Sequence, residues 1–553
     1  MLEFRKMRKT IIIFALAMGA MSMIADNDAR ISRNMDIFNM AFKELATFYV
    51  DSLDSDKAVE TALNSMMAEL DPYTEYIPAR DMDDFKSFAT GEYGGVGSYI
   101  MERDGYVYFT EPYENSPAAR AGIRSGDKVI AINGESMAGK SNDQVSNLLK
   151  GQPGTSLQLR VVRPYCGADS VKEFTIVRES IKLNSVTYHG MAADGVGYIK
   201  LESFNDNCGK EFRDALLDLK NNQKLRSLII DLRGNTGGLV DGAIQILGLF
   251  LPKGTEVLQT RGKDASSRKT YRTTATPIDT KLPLAVLIDG SSASASEIVA
   301  GALQDLDRAV VLGSRSFGKG LVQVTRPLPY DGIIKLTTAK YYIPSGRLIQ
   351  EVDYSNKGAD GKVKAKSDTV GNVFKTAHGR EVRDGGGITP DIKIDYPEVN
   401  RLVYNIVRDN WAFDFSTKYA ATHPSIEPVE NFEITDEIYN DFKASIDPAR
   451  FDYDKVCEKG LADLRKVAEV EGYMNDETRE QFDRLATLLR HDLNRDLDTQ
   501  RPEISKLLAQ EIIKNYYYQK GQVVYALKHD VAIERSVAVL NNSAEYHKLL
   551  NTK

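Results

Sequence analysis

The run Ala285-Val-Leu-Ile-Asp-Gly-Ser-Ser-Ala-Ser-Ala-Ser-Glu-Ile-Val-Ala-Gly-Ala-Leu-Gln304 decides the fold. Its unbroken apolar start predicts a strand buried on both faces, Asp289-Gly290 a tight turn, and the stretch from Ser294 a helix. Working outward, the apolar runs Leu225–Leu232, Leu282–Ile288 and Ala309–Leu312 alternate with helix-like segments after Gly238 and Ser294. That alternation predicts an α/β core over residues 179–395. The serines stand at the helix N-terminus, where free N–H groups and the positive dipole end can stabilise an oxyanion. Ser294 with Glu297 also satisfies the S-x-x-E capping box, in which the hydroxyl only closes the helix end. On spacing alone the cap explains Ser294 better than chemistry does.

The balance shifts with Leu312-Gly-Ser-Arg-Ser-Phe-Gly-Lys-Gly-Leu-Val-Gln323, which sets a lysine among glycines just after a buried strand. A lysine serves as a general base only when neutral, which requires burial away from acids and a pKa lowered toward about 7–8. No acid adjoins Lys319 in the sequence, and Gln323 can orient its amine by hydrogen bonding without adding charge. Gly313, Gly318 and Lys319 also match the G-x-x-x-x-G-K spacing of a nucleotide-binding loop. Gly320 stands where Ser or Thr would bind magnesium, and a strand-like run follows where a helix is required, so nucleotide binding is set aside.

The remainder divides into recognisable regions. The chain of 553 residues is too long for one core, and its 42 % hydrophobic and 27 % charged content is that of water-soluble globular domains. Arg5, Lys6, Arg8 and Lys9 precede the apolar run Ile11–Ala20, so residues 1–25 read as a signal peptide or an uncleaved N-terminal anchor, with the chain exported to the periplasm or cell envelope. Residues 26–90 read as a helical domain broken by the turn Leu70-Asp71-Pro72-Tyr73. Residues 396–553 read as a helical C-terminal domain, with Leu485, Leu488, Leu489 and Leu493 on one helical face. Ser355 to Ser367 reads as an exposed loop. A net charge of -7 without a basic stripe excludes nucleic acid as a partner. Cys166, Cys208 and Cys457 have neither zinc spacing nor a disulfide framework, no metal-ligand cluster is seen, and no cofactor is implied.

Between residues 91 and 178 short strand-like runs (Tyr106–Thr110, Lys128–Ile132, Ser156–Arg163) alternate with turns. Within them, Ser116-Pro-Ala-Ala-Arg-Ala-Gly-Ile-Arg-Ser-Gly-Asp-Lys-Val-Ile-Ala-Ile-Asn-Gly134 resembles the core signature of PDZ domains. The resemblance implies that a peptide C-terminus adds as a strand to a sheet edge, with its carboxylate held by the backbone amides of Gly94, Gly95, Val96 and Gly97. Glycine suits such a loop because amides must converge on one anion without Cβ atoms intervening. A mere interdomain hinge would explain the glycines but not the downstream signature.

From Leu70 to Asp391 the chain resembles the C-terminal processing peptidases, the tail-specific serine proteases. The likeness rests on S-A-S-A-S-E and F-G-K-G-x-x-Q, on Asp231-Leu-Arg-Gly-Asn-Thr-Gly-Gly238, on Thr337-Thr-Ala-Lys-Tyr-Tyr342 with Pro344-Ser-Gly346, and on Gly387-Ile-Thr-Pro-Asp391. It implies a multidomain α/β protein with a crotonase-like, ClpP-like protease core. It also implies a serine endopeptidase acting on polypeptides through their C-termini. Ser294 would be the nucleophile, Lys319, 25 residues later, the base, and Gln323 the residue orienting it. The oxyanion donors would be the amides of Ala295 and of Gly237 or Gly238, in a loop where Gly-Asn-Thr replaces the commoner Asn-Asn-Gly. Ser292 and Ser296 would be supporting residues. The rival readings are a non-catalytic PDZ adaptor in the cell envelope, which has no need of Ser294, Lys319 and Gln323 together, and a thioester-acting crotonase, which the PDZ module and export signal disfavour. A membrane tether at the N-terminus and a homo-oligomer are compatible with the sequence and not specified by it.

Overall fold

The computed structural model describes residues 28–164, 170–357, 363–365, 371–396, 398–451 and 455–552; residues 1–25, read as a signal peptide or anchor, and Cys166 lie outside them. The chain forms two compact units, one of residues up to Arg80 together with Gln323–Thr337, the other of Asp81–Val322 and Thr338 onward.

In the first unit, helices span residues 28–48 and Ser55–Ala68, the second capped by the Asp54 carboxylate on the Lys57 N–H at 3.0 Å. The turn read at Leu70–Tyr73 is built by Asp71, which accepts from the N–H groups of Tyr73 and Thr74 at 2.8 Å each. It reverses the chain into the strand Glu75–Ile77, antiparallel to Ile333–Lys335. Helical periodicity had hidden this strand, because three residues carry no period of their own.

The second unit is organised around a six-stranded sheet in the order Val186–Ala193, Val196–Leu201, Ser227–Asp231, Leu284–Ile288, Val310–Gly313, Ile392–Lys393. The first pair is antiparallel and the other neighbours are parallel. Both faces are covered, which is why the strands read as continuous apolar runs. Leu228, Ile230, Val286 and Ile288 face a core completed by the helices Cys208–Asn222, Val240–Gly248 and Ala295–Asp305. Ile229, Leu287, Val310 and Leu312 point the other way, onto Ala532, Ile533, Val539 and Tyr546 from the helices Val531–Asn541 and Ser543–Leu549. The Tyr546 hydroxyl accepts from the Leu284 N–H at 2.9 Å, satisfying a backbone donor where that strand begins. Part of the helical C-terminal region is thus one wall of the sheet.

A second sheet, in the order Ser98–Arg103, Tyr106–Pro112, Lys128–Ile132, Ser156–Arg163, Ser170–Val177, wraps its own core of Val107, Phe109, Val129, Leu157 and Leu159 with the helix Asn142–Leu149. Ser98–Arg103 is its edge. Arg103 pairs with Asp414 of the C-terminal helices at 2.8 Å. Those helices have a core of their own, including Ile406, Phe415, Phe442 and Ile512, with Trp411 packed beside it. The apolar face read at Leu485 and Leu488 lies on the helix Asp476–Leu489, where the two residues are 42 % and 63 % exposed. Within Ser355 to Ser367, read as loop, the strands Val352–Lys357 and Val363–Ala365 pair antiparallel. Among the described residues no helix is long and apolar enough to cross a membrane.

Candidate active site

The strand Leu284–Ile288 delivers the chain to Asp289, whose carboxylate accepts the N–H groups of Ser291 and Ser292 and shapes the turn. Ser294 follows, half-buried, with φ 54° and ψ −113°, immediately before the helix Ala295–Asp305. A non-glycine residue in such a conformation costs about 1–3 kcal/mol and survives only when its surroundings impose it.

Three groups do so. The buried Asn235 takes the Ala293 N–H on its backbone carbonyl at 3.0 Å and the Ser296 hydroxyl on the same oxygen at 2.8 Å, while its carboxamide bonds the Leu201 carbonyl at 2.8 Å and the Gly237 N–H at 2.9 Å. The Ser292 hydroxyl donates to the Leu232 carbonyl at 2.8 Å. Both flanking serines are therefore fasteners between the serine turn and the Asp231–Gly238 loop.

The third group is Glu297, fully buried. Its Oε2 accepts the backbone N–H groups of Ser294 and Lys319 at 2.9 Å each, and its Oε1 accepts the Gly318 N–H at 2.7 Å and the Ser316 hydroxyl at 2.6 Å. The capping box read from Ser294 and Glu297 is present, but the same carboxylate also gathers the glycine-lysine loop. Burial pushes its pKa up to about 7, against four donors that each favour the anion. The sequence sets Lys319 apart from acids; the fold brings one to its backbone. Tyr341, buried, places its hydroxyl on the carbonyls of Lys319 and, at 3.1 Å, Ser294, so the two loops are joined a second time.

The oxyanion candidates separate. Ala295 opens the helix, where N–H groups lack intrahelical partners. Gly237, at φ 102°, lies so close that an added Cβ would fall 2.8 Å from the Ser294 Cβ and 3.0 Å from the Ala295 nitrogen. Gly238 packs instead against Phe204, whose carbonyl would be 2.3 Å from a Cβ. Gln323 belongs to the other compact unit, where its carboxamide donates to the Thr337 hydroxyl at 3.0 Å. His189 lies 3.3 Å from Asp218, and His378 lies 3.3 Å from the Leu550 carbonyl and 3.4 Å from Asp307, so each has a local partner. Among the described residues no cluster of His, Cys, Asp and Glu could hold a metal. Cys208 is buried in the core and Cys457 is exposed, both as free thiols.

Of the four residues read as a carboxylate loop, Gly94 and Gly95 end a strand, Glu92–Gly95, paired with Glu179–Lys182. The turn proper is Val96–Gly97, held by the Ala118 N–H on the Val96 carbonyl at 2.9 Å and the Tyr113 N–H on that of Gly97 at 3.0 Å. Beyond it a groove of about 400 Å³ runs between the edge strand and the helix Asn142–Leu149, with Val96, Ile100, Tyr99 and Leu149 in its lining and the Lys150–Asp84 ion pair, 2.7 Å, beside it.

Sequence reasoning missed the wider roles of Glu297, Tyr341 and Asn235. All three stand inside the quoted motifs, so the signal was there; what they touch was not. The sequence pattern of peptidase family S41 matches residues 195–355, that of the PDZ domain 108–163, and that of a probable PDZ-protease C-terminal helical domain 402–540. The carboxy-terminal-processing protease of Bartonella bacilliformis is 35 % identical over 341 residues, 61 % of this chain and 77 % of that one. A probable CtpA-like serine protease of Staphylococcus haemolyticus is 32 % identical over 378 residues, 68 % of this chain and 73 % of that one. Among solved structures, the photosystem II D1 C-terminal processing protease is 25 % identical, covering 65 % of this chain and 92 % of its own at a TM-score of 0.35. With about a third of the aligned positions identical along most of its relatives' length, the chain belongs to the carboxy-terminal-processing proteases, serine peptidases of family S41 that here carry a PDZ domain before the catalytic core and a helical domain after it.

Proposed function

We propose that the protein is an exported endopeptidase that docks the free C-terminus of an exported or misfolded polypeptide in its PDZ groove and cuts the chain with a serine–lysine pair. Ser294 Oγ attacks the peptide carbonyl while the neutral Lys319 amine takes its proton; that proton then passes to the leaving amine. Water, activated by the same lysine, releases the acyl-enzyme. The Ala295 amide and the Gly237–Gly238 loop stabilise the oxyanion, and Gln323 orients the lysine. Gly94, Gly95, Val96 and Gly97 receive the terminal carboxylate. The organisation that fits this reading is 1–25 for export or anchoring, 26–90 helical, 91–178 PDZ, 179–395 protease and 396–553 helical, with the periplasm or cell envelope as its location.

The observation that carries the reading is the Glu297 carboxylate, which binds the backbone N–H of both Ser294 and Lys319. One buried acid thereby sets the nucleophile and the base in a common frame, which a serine that merely caps a helix does not require. The test is digestion of an unfolded protein with a free apolar C-terminus by the chain from Asp26 onward. Ser294→Ala and Lys319→Ala are each expected to abolish cutting, and amidating the substrate's C-terminus to slow the parent. Full activity in Lys319→Ala would remove the lysine from the mechanism, and indifference to amidation would remove the groove.

A further inference from the structure

Besides walling the sheet and pairing with Arg103, the C-terminal helical region reaches the Asp231–Gly238 loop. Asp231 ends its strand fully buried and gathers Tyr198 Oη at 2.7 Å, the Arg233 N–H at 2.9 Å, and the Arg233 guanidinium through Nε at 3.0 Å and Nη2 at 2.6 Å. Lys200 stands 3.6 Å away and donates to the Arg233 carbonyl. The remaining arm of that guanidinium, Nη1, donates to Asp530 at 2.6 Å. Asp530 lies 297 residues from Arg233, at the start of the helix Val531–Asn541, whose first turn it caps through the Ala532 N–H at 2.8 Å. Both side chains are largely buried, at 16 % and 19 % exposure. A guanidinium is a rigid planar fork, so acids on two of its edges fix its position and tilt.

From Arg233 the connection to the serine is short. Gly234 donates its N–H to Asp289, and Asn235 holds the serine turn through Ala293 and Ser296 and the neighbouring glycine through Gly237. We infer that Asp530 is a positioning residue for catalysis: acting through Arg233, the C-terminal helical domain holds the Asp231–Gly238 loop against the Ser294 turn in the geometry the reaction needs. This rests on the reading of Ser294 as the nucleophile.

The test is Asp530→Asn in the full chain. Asparagine caps a helix about as well as aspartate, so the variant removes the charge facing Arg233 and leaves the helix start intact. The expected result is a kcat roughly tenfold or more below the parent, as for a catalytic loop displaced by a fraction of an ångström, with KM unchanged and the melting temperature still well above that of the assay. Asp530→Glu is expected to restore part of the rate. Arg233→Lys is expected to lower kcat as well, and adding Asp530→Asn to it to cost nothing further, because the two residues act as one link. Parent-like kcat in Asp530→Asn, a fall in melting temperature that accounts for the lost rate, or additive effects of the two substitutions would each overturn the inference. Activity surviving in Ser294→Ala would strike instead at the reading of the site, so the two failures are distinguishable.

Discussion

Two buried carboxylates anchor the loops that meet at Ser294, one at the root of the Asp231–Gly238 loop and one on the helix that follows Ser294. Asp231 and Glu297 are 1 % and 0 % exposed, and each organises a loop of the site. Burial raises both pKa values. At Asp231 the cations Arg233 and Lys200 more than cancel it and hold the group at about 2, whereas the Ser316 hydroxyl and the backbone N–H groups of Gly318, Lys319 and Ser294 only partly offset it at Glu297, which stands at about 7. A loop can thus be anchored by charge pairing or by hydrogen bonds to backbone; the two methods differ in how they fail.

The largest effect is expected where charge is left unpaired. Asp231→Asn strands Arg233 and Lys200 in a buried setting, and chemical denaturation should show a loss of about 3–5 kcal/mol. Glu297→Gln should cost less stability, about 1–3 kcal/mol. Because its amide end turns a donor toward donors, Glu297→Gln should still reduce kcat/KM by roughly a hundredfold. A variant with parent-like turnover would show that the shared carboxylate is dispensable to the chemistry.

The pH dependence sharpens the same contrast. Asp231, lowered from an ordinary 3.8, contributes stability that is present above that value and lost as pH falls through about 2. Glu297, raised from an ordinary 4.5, contributes stability that is present below 4.5 and lost as pH rises through about 7. Unfolding measured between pH 4.5 and 7 should therefore carry a declining component in the parent that is missing from Glu297→Gln, and an unchanged slope would contradict the raised pKa. The smallest effect is expected from Tyr341→Phe, which removes one hydroxyl from the Ser294 and Lys319 carbonyls at a cost of about 1 kcal/mol, visible in melting temperature.

Three strands of each of the two larger sheets were legible because their signals are local. Lys128–Ile132 and Ser156–Arg163 lie within the bounds read for them, and Leu225–Leu232 and Leu282–Ile288 overshoot by two residues or fewer at each end. Ser294, Lys319 and Glu297 could likewise be picked out as residues. The sequence could not disclose that Glu297 reaches Lys319 across 22 positions or that Arg233 meets Asp530 across 297, because no periodicity extends over such distances. The strand Glu75–Ile77 escaped for the opposite reason, since its pairing partner alone defines it.

The edge position of Ser98–Arg103 has a consequence for what the enzyme can distinguish. A tail added there as a strand, anchored at its last carboxylate, turns alternate side chains toward the groove and the rest toward solvent. Such a reader is sensitive to parity. Trimming one residue from a tail exchanges the inspected set for the uninspected one, while trimming two returns the original set in a new register. Across a nested series of shortened substrates, susceptibility to cutting should rise and fall with odd and even length, not decline smoothly.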